Sequence, residues 1–112
     1  MNGDRGDIAA IPFPFADKNT YKRRPVVVLT SPDRHGDIIC LAVTSVPTSE
    51  HAVAITNDAL TQGKLPKPSW IRCDKVFTLS VKTIVKTYGR LDAGVLNMAR
   101  DGFCQYMGCR HS

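Results

Sequence analysis

Pro25-Val26-Val27-Val28-Leu29-Thr30 and Asp37-Ile38-Ile39-Cys40-Leu41-Ala42-Val43-Thr44 are two apolar runs rich in Val and Ile. Such residues favour strands, because a branched side chain packs well on a pleated surface and crowds a helix. Both runs are continuously apolar, which suits burial more than an exposed amphipathic face. Ser31-Pro32-Asp33-Arg34-His35-Gly36 between them is turn-forming. The pair therefore predicts a buried β-hairpin, and the fold builds out from it.

Upstream, Asp7–Pro12 is a short apolar run that meets Pro12 and Pro14, so it reads as an edge strand or strand end. Ala16–Arg24 is polar and aperiodic, and is expected to be a loop. Downstream, Ser45–Glu50 reads as a loop and His51–Thr56 as a short strand. Thr61–Ser69 reads as a further loop. Trp70–Asp74 and Lys75–Leu79 are strand-like, with a bend near Asp74. Ser80–Ile84 fits one helical turn, and Val85–Tyr88 a last strand ended by Gly89. The period then changes. Asp92 is a good N-cap, and Leu91 with Leu96 fits a hydrophobic staple. Val95, Ala99, Gly102, Phe103 and Tyr106 follow at helical spacing. The expected architecture is mainly β with a C-terminal α-helix, a small curved barrel or sandwich. It is expected as a single domain over residues 1–112, with the barrel at about 6–90, the helix at about 92–107 and a tail at 108–112.

The chain has 112 residues, 43% hydrophobic and 22% charged, which is the balance of a folded globular domain. No apolar run approaches the ~20 residues of a membrane span, and residues 1–5 lack a signal-peptide layout. A cytoplasmic location and no membrane partner are therefore expected. The net charge of +5 is uneven. Lys64, Lys67, Arg72, Lys75, Lys82, Lys86 and Arg90 lie within residues 61–90, opposed there only by Asp74. A local basic stretch suits a polyanion such as nucleic acid, and equally serves as a solvated surface.

Four segments can carry chemistry. Lys22-Arg23-Arg24-Pro25 joins a polar loop to a buried strand, where a guanidinium can meet a phosphate or simply rim a loop. Thr44-Ser45 ends a buried strand, and its hydroxyls can donate to a phosphate or satisfy their own turn. In Arg72-Cys73-Asp74-Lys75, strand alternation puts Arg72 and Asp74 on one face and Cys73 and Lys75 on the other. Arg72 with Asp74 is either an acid–base pair or a structural ion pair. Lys82 to Arg90, with Lys86 and Tyr88, suits tracking of a single strand by charge and stacking. There is no Gly-rich phosphate loop, and Glu50 is the one Glu. His35, His51 and His111 are isolated in sequence. Cys40 and Cys73 read as buried or incidental thiols. Cys104 and Cys109 with His111 have no usual zinc spacing, and a disulfide framework is not expected. No metal or cofactor is expected.

These segments, in this order, resemble the MazF/PemK toxin family. Gly6-Asp7-Ile8-Ala9-Ala10-Ile11, Arg24-Pro25-Val26-Val27-Val28-Leu29-Thr30, Thr44-Ser45 and Arg72-Cys73-Asp74-Lys75-Val76-Phe77-Thr78-Leu79 match its opening strand, loop-closing Arg-Pro, Thr-Ser pair and Arg-Cys-Asp strand, the last closest to the PemK branch. The resemblance spans about residues 6–107. It implies an SH3-like barrel of the MazF/PemK/CcdB type, a homodimer, and a cognate antitoxin as partner. It also implies metal-free, sequence-specific cleavage of single-stranded messenger RNA, in which the 2′-hydroxyl attacks the adjacent phosphate. The products are a 2′,3′-cyclic phosphate and a 5′-hydroxyl.

On that resemblance Arg24 stabilises the phosphate or acts as acid, and Thr44 contacts the phosphate. Arg72 and Asp74 match the PemK-branch acid and base. Lys22, Arg23, Ser45, Lys75, Lys82, Lys86 and Tyr88 are the expected RNA-binding residues. The chain departs from the pattern at Lys75 and Phe77, often Gln and Arg in the family, and in lacking a His in its first loop. Two other readings are a non-catalytic RNA- or protein-binding barrel and a CcdB-like gyrase inhibitor. The only Trp is Trp70, far from the C-terminus, which weighs against the latter.

Overall fold

The structure, a computed structural model, describes residues 3–14 and 21–109, with the side chains of residues 13, 14, 21 and 22 outside that description. Strands β1 (Asp7–Pro14), β2 (Tyr21–Val28), β3 (Asp37–Thr44), β4 (Ala52–Ile55), β5 (Leu60–Gly63), β6 (Ser69–Ser80) and β7 (Lys86–Leu91) precede one helix, α1 (Ala93–Met107). They form a curled antiparallel sheet in the order β4-β6-β3-β2-β1-β7-β5.

The expected hairpin lies at its centre, with Val26 opposite Ala42, Val27 opposite Leu41 and Val28 opposite Cys40. Its continuous hydrophobicity has a direct cause. Ile8, Val27, Leu29, Leu41 and Val43 face one apolar cluster, and Ala9, Ile11, Val26, Val28, Ile38 and Cys40 face another. Helix α1 covers the first through Ala99, Leu96 and Phe103. Ile84, Phe77 and Leu79 cover the second. Neighbouring residues on these strands thus enter opposite apolar clusters, except Ile39, which is exposed.

The helix begins as its sequence signals require. Asp92 Oδ2 accepts a hydrogen bond from Gly94 N at 2.9 Å, and Leu91 and Leu96 meet in the same cluster. No helix among the described residues is long and apolar enough to cross a membrane.

Three boundaries differ from expectation. The first predicted loop is shorter at its end, because Tyr21–Arg24 already pair with Ile11–Pro14. Pro12 and Pro14 are compatible with that pairing because β7 leaves β1 after Ala10, and among the described residues no strand pairs with that edge of β1 beyond it. Residues 16–20 lie outside the described residues. The predicted loop 61–69 starts as strand β5, and β7 runs through Gly89 instead of ending there. Both follow from one close approach. A Cβ on Gly89 would lie 2.2 Å from Gln62 O, and one on Gly63 2.0 Å from Tyr88 O. Glycine here lets β5 and β7 touch backbone to backbone, whereas its propensity alone suggests a break.

Candidate functional site

Two adjoining grooves meet at the end of the central hairpin. The first is lined by Arg24, Thr44, Arg72, Lys75 and Phe77 over a floor of Pro25, Val26, Ala42 and Val43. The second shares Arg24, Pro25, Val43 and Thr44, and continues past Arg23, Ser45, Lys67 and Tyr88. Arg24 and Thr44 therefore stand where the grooves join. The floor is apolar because β2 and β3 are core strands. The rim is cationic through Arg24 on β2 and Arg72 and Lys75 within β6.

Arg72 and Asp74 are brought together as the alternation predicts. Arg72 Nε lies 3.1 Å from Asp74 Oδ1, and Nη2 lies 3.2 Å from Oδ2, a two-pronged pair. Both side chains are largely covered, at 29% and 16% exposure. The hydrogen bond from Arg72 holds the Asp74 carboxyl below its ordinary value of 3.8. Asp74 is not among the groove-lining residues and is connected to the groove through Arg72.

Lys75 corrects the alternation. Alternation puts it on the face opposite Arg72, yet both line the same groove. The cause is a bulge. Opposite β3, Leu41 pairs with Val76 and its neighbour Ala42 with Arg72, so residues 73–75 are extra. The expected bend near Asp74 is this bulge, inside a continuous strand. An interrupted ladder frees successive side chains from strict alternation.

A second bulge aims Tyr88. Ile8 pairs with Gly89 and Ala9 with Thr87, leaving Tyr88 without an opposite residue on β1. Tyr88 lines the second groove, and Lys86 Nζ lies 5.2 Å from its ring centroid.

Thr44 has a dual position. Its Oγ1 accepts from Val46 N at 3.1 Å, the local turn bond anticipated for such a residue. Its hydroxyl proton retains the capacity to donate into the groove. Arg23 and Ser45 reach the second groove. The side chain of Lys22 lies outside the described residues. Lys82 is not brought to the site: it follows Ser80, which pairs with Asp37 at the end of β3 opposite Thr44. That strand separates them by roughly 24 Å. Lys67 was missed as an individual residue. The available signal was its place in the basic stretch, but a Pro-rich loop has no period that reveals its direction. Among the described residues, no group of three or more His, Cys, Asp or Glu gathers as a metal cage.

A family model described as PemK-like, MazF-like toxin of type II toxin-antitoxin system matches residues 4–107. The chain belongs to this family. No curated protein matches it. Among solved structures, an endoribonuclease in complex with its cognate antitoxin from a mycobacterial species aligns with TM-score 0.70 at 16% identity, over 100% of both chains. MazE-MazF from Deinococcus radiodurans aligns with TM-score 0.75 at 17% identity, over 98% of this chain and 99% of that one. Mycobacterium tuberculosis toxin MazF-mt6 aligns with TM-score 0.66 at 19% identity, over 92% and 99%. At these identities the likeness is one of fold: a curled antiparallel sheet closed by one C-terminal helix. The family member described here thus has the MazF-like architecture expected from its sequence, with Arg24, Thr44, Arg72 and Asp74 gathered at one end of its central hairpin.

Proposed function

We propose that this toxin-family chain is an endoribonuclease that cuts single-stranded RNA without metal, acting in the cytoplasm. The observation that carries the reading is the junction of two cationic grooves at Arg24 and Thr44, beside the Arg72–Asp74 pair. A single strand laid along the grooves meets Arg23, Lys67 and Tyr88 on one side and Lys75 and Phe77 on the other. Its phosphates meet cations and its bases meet rings.

The chemistry proposed is 2′-hydroxyl attack on the adjacent phosphorus, with loss of the 5′-oxygen. Arg24 and the Thr44 hydroxyl stabilise the charge that grows on the non-bridging oxygens. A phosphate entering the groove competes with Asp74 for the Arg72 guanidinium. Asp74, ionised at neutral pH, then accepts the 2′-hydroxyl proton. Arg72 donates to the departing 5′-oxygen, whose alkoxide is the stronger base. The products are a 2′,3′-cyclic phosphate and a 5′-hydroxyl.

A type II toxin family and a fold-mate solved with its cognate antitoxin support an antitoxin partner. The cationic grooves suit an acidic segment of that partner. A second copy of the chain completes the open site in this reading. The test is incubation of purified protein with a long single-stranded RNA in EDTA, followed by analysis of the ends. Discrete cuts with cyclic phosphates are expected. Intact RNA, or cutting that appears only when a divalent metal is added, overturns the reading.

A further inference from the structure

The last turn of α1 carries two cysteines that the groove chemistry does not use. Gly108 ends the helix in the left-handed conformation, at φ 79° and ψ 27°. Gly108 N donates to Gln105 O at 3.2 Å, and Cys109 N donates to Cys104 O at 2.8 Å. This is the Schellman pattern, in which the chain folds back over the final turn. It characteristically packs the side chain after the glycine against the one five residues earlier. Here those two positions are Cys109 and Cys104. Cys109 is exposed and Cys104 half-buried, whereas Cys40 and Cys73 are buried.

We propose that Cys104 and Cys109 form a redox-active dithiol that a hydroperoxide converts to an intramolecular disulfide. The exposed Cys109 thiolate attacks the terminal peroxide oxygen. The O–O bond breaks, a sulfenic acid forms on Cys109, and water or an alcohol leaves with one proton. Cys104 then attacks the Cys109 sulfur, and the hydroxyl leaves as water with the Cys104 proton. Two thiols lose two electrons and two protons, and the peroxide takes both. The proximity of the thiols leaves a trace: hydrogen bonding with the Cys109 side chain, followed by desolvation, raises the Cys104 pKa above its ordinary 9.0. That suits Cys104 as the resolving partner and not the first to react. The bond closes the turn covalently and staples the end of the helix that caps the first apolar cluster.

Trypsin places both cysteines in one peptide, Asp101–Arg110. After peroxide treatment of the native protein and alkylation in denaturant, that peptide is expected about 2 Da lighter than its reduced form, unalkylated, and restored by dithiothreitol. Cys109→Ser removes this species. Gly108→Ala meets no atom within 4 Å but disfavours the left-handed turn. It is expected to lower the effective concentration of the pair, measured against a glutathione couple, by about fivefold to thirtyfold. Full alkylation of both cysteines, overoxidation of Cys109 without a bridge, or bridging only between chains overturns the proposal. An unchanged effective concentration in Gly108→Ala overturns the role of the turn.

Discussion

Asp74 grips Arg72 with both carboxylate oxygens, at 3.1 and 3.2 Å, from within a three-residue bulge that separates the two halves of β6. The arrangement fixes a guanidinium at the groove and keeps a carboxylate ionised behind it. A guanidinium already placed at the groove is positioned to meet a developing phosphate charge.

Asp74→Asn keeps the shape of the pair while removing its charge and basicity. Cleavage is expected to fall by about 100-fold to 10,000-fold, the range for loss of a general base. The variant is expected to remain folded by circular dichroism. Wild-type rates in Asp74→Asn would remove Asp74 from the chemistry.

Because the Asp74 pKa is lowered in the folded state, its stabilising contribution is present above the ordinary value of 3.8 and is lost as pH falls through the folded value. Acid denaturation of wild type and Asp74→Asn should therefore differ near neutral pH, and the difference should shrink only as pH falls below 3.8 through the folded value. Cleavage by wild type should show no Asp74 titration between about pH 5 and 8. A difference that grows on acidification contradicts the assignment of the pair.

Arg24→Ala is expected to cost about 100-fold to 1,000-fold in single-turnover cleavage, the range for removing one donor to a reacting oxyanion. Arg24 is exposed at the groove junction. Its replacement is expected to move the melting temperature by only a few degrees. A collapse of stability with no separate catalytic loss contradicts this role.

Lys67 and Lys82 distinguish the groove from the general basic surface. Lys67→Ala should lower the slope of log affinity against log salt by about 0.7 for single-stranded RNA. Lys82→Ala, at the far end of β3, should leave that slope unchanged. Equal effects would mean that RNA follows net charge and not the grooves.

Gly63→Ala should destabilise the fold by about 1–3 kcal/mol. Its Cβ would meet Tyr88 O at 2.0 Å, on a residue already at φ +83°. The displaced strand carries Tyr88, so RNA affinity should drop in the fraction that remains folded. Urea melts and binding titrations measure the two effects.

The central hairpin and the helix were legible because their signals are local. Val26 to Val28 and Ile38 to Val43 are apolar on both faces of the chain, and Asp92, Leu91 and Leu96 mark a helix start without reference to anything distant. That Arg72 and Asp74 share a face was legible in strand alternation, whereas their gathering with Arg24 and Thr44 was expected only through family resemblance, since residues so separated in sequence carry no shared period. Lys75 shows where alternation misleads: the bulge at 73–75 brings it to the groove of Arg72. Lys82 shows the limit of charge counting, because its place in the basic stretch says nothing of which end of a strand it occupies.

By itself the sequence determined the strand-rich class, the buried hairpin, the helix with its cap and staple, and the excess of cations in its second half. These depend on neighbouring residues and on composition. Only the tertiary structure decided which cations share a groove, how Tyr88 is aimed, and that Gly63 and Gly89 let two backbones touch. Those outcomes depend on strand register, and register is set by what each residue meets across the sheet. An extra residue in a ladder re-aims every side chain beside it, and that partner is absent from any reading of one segment alone.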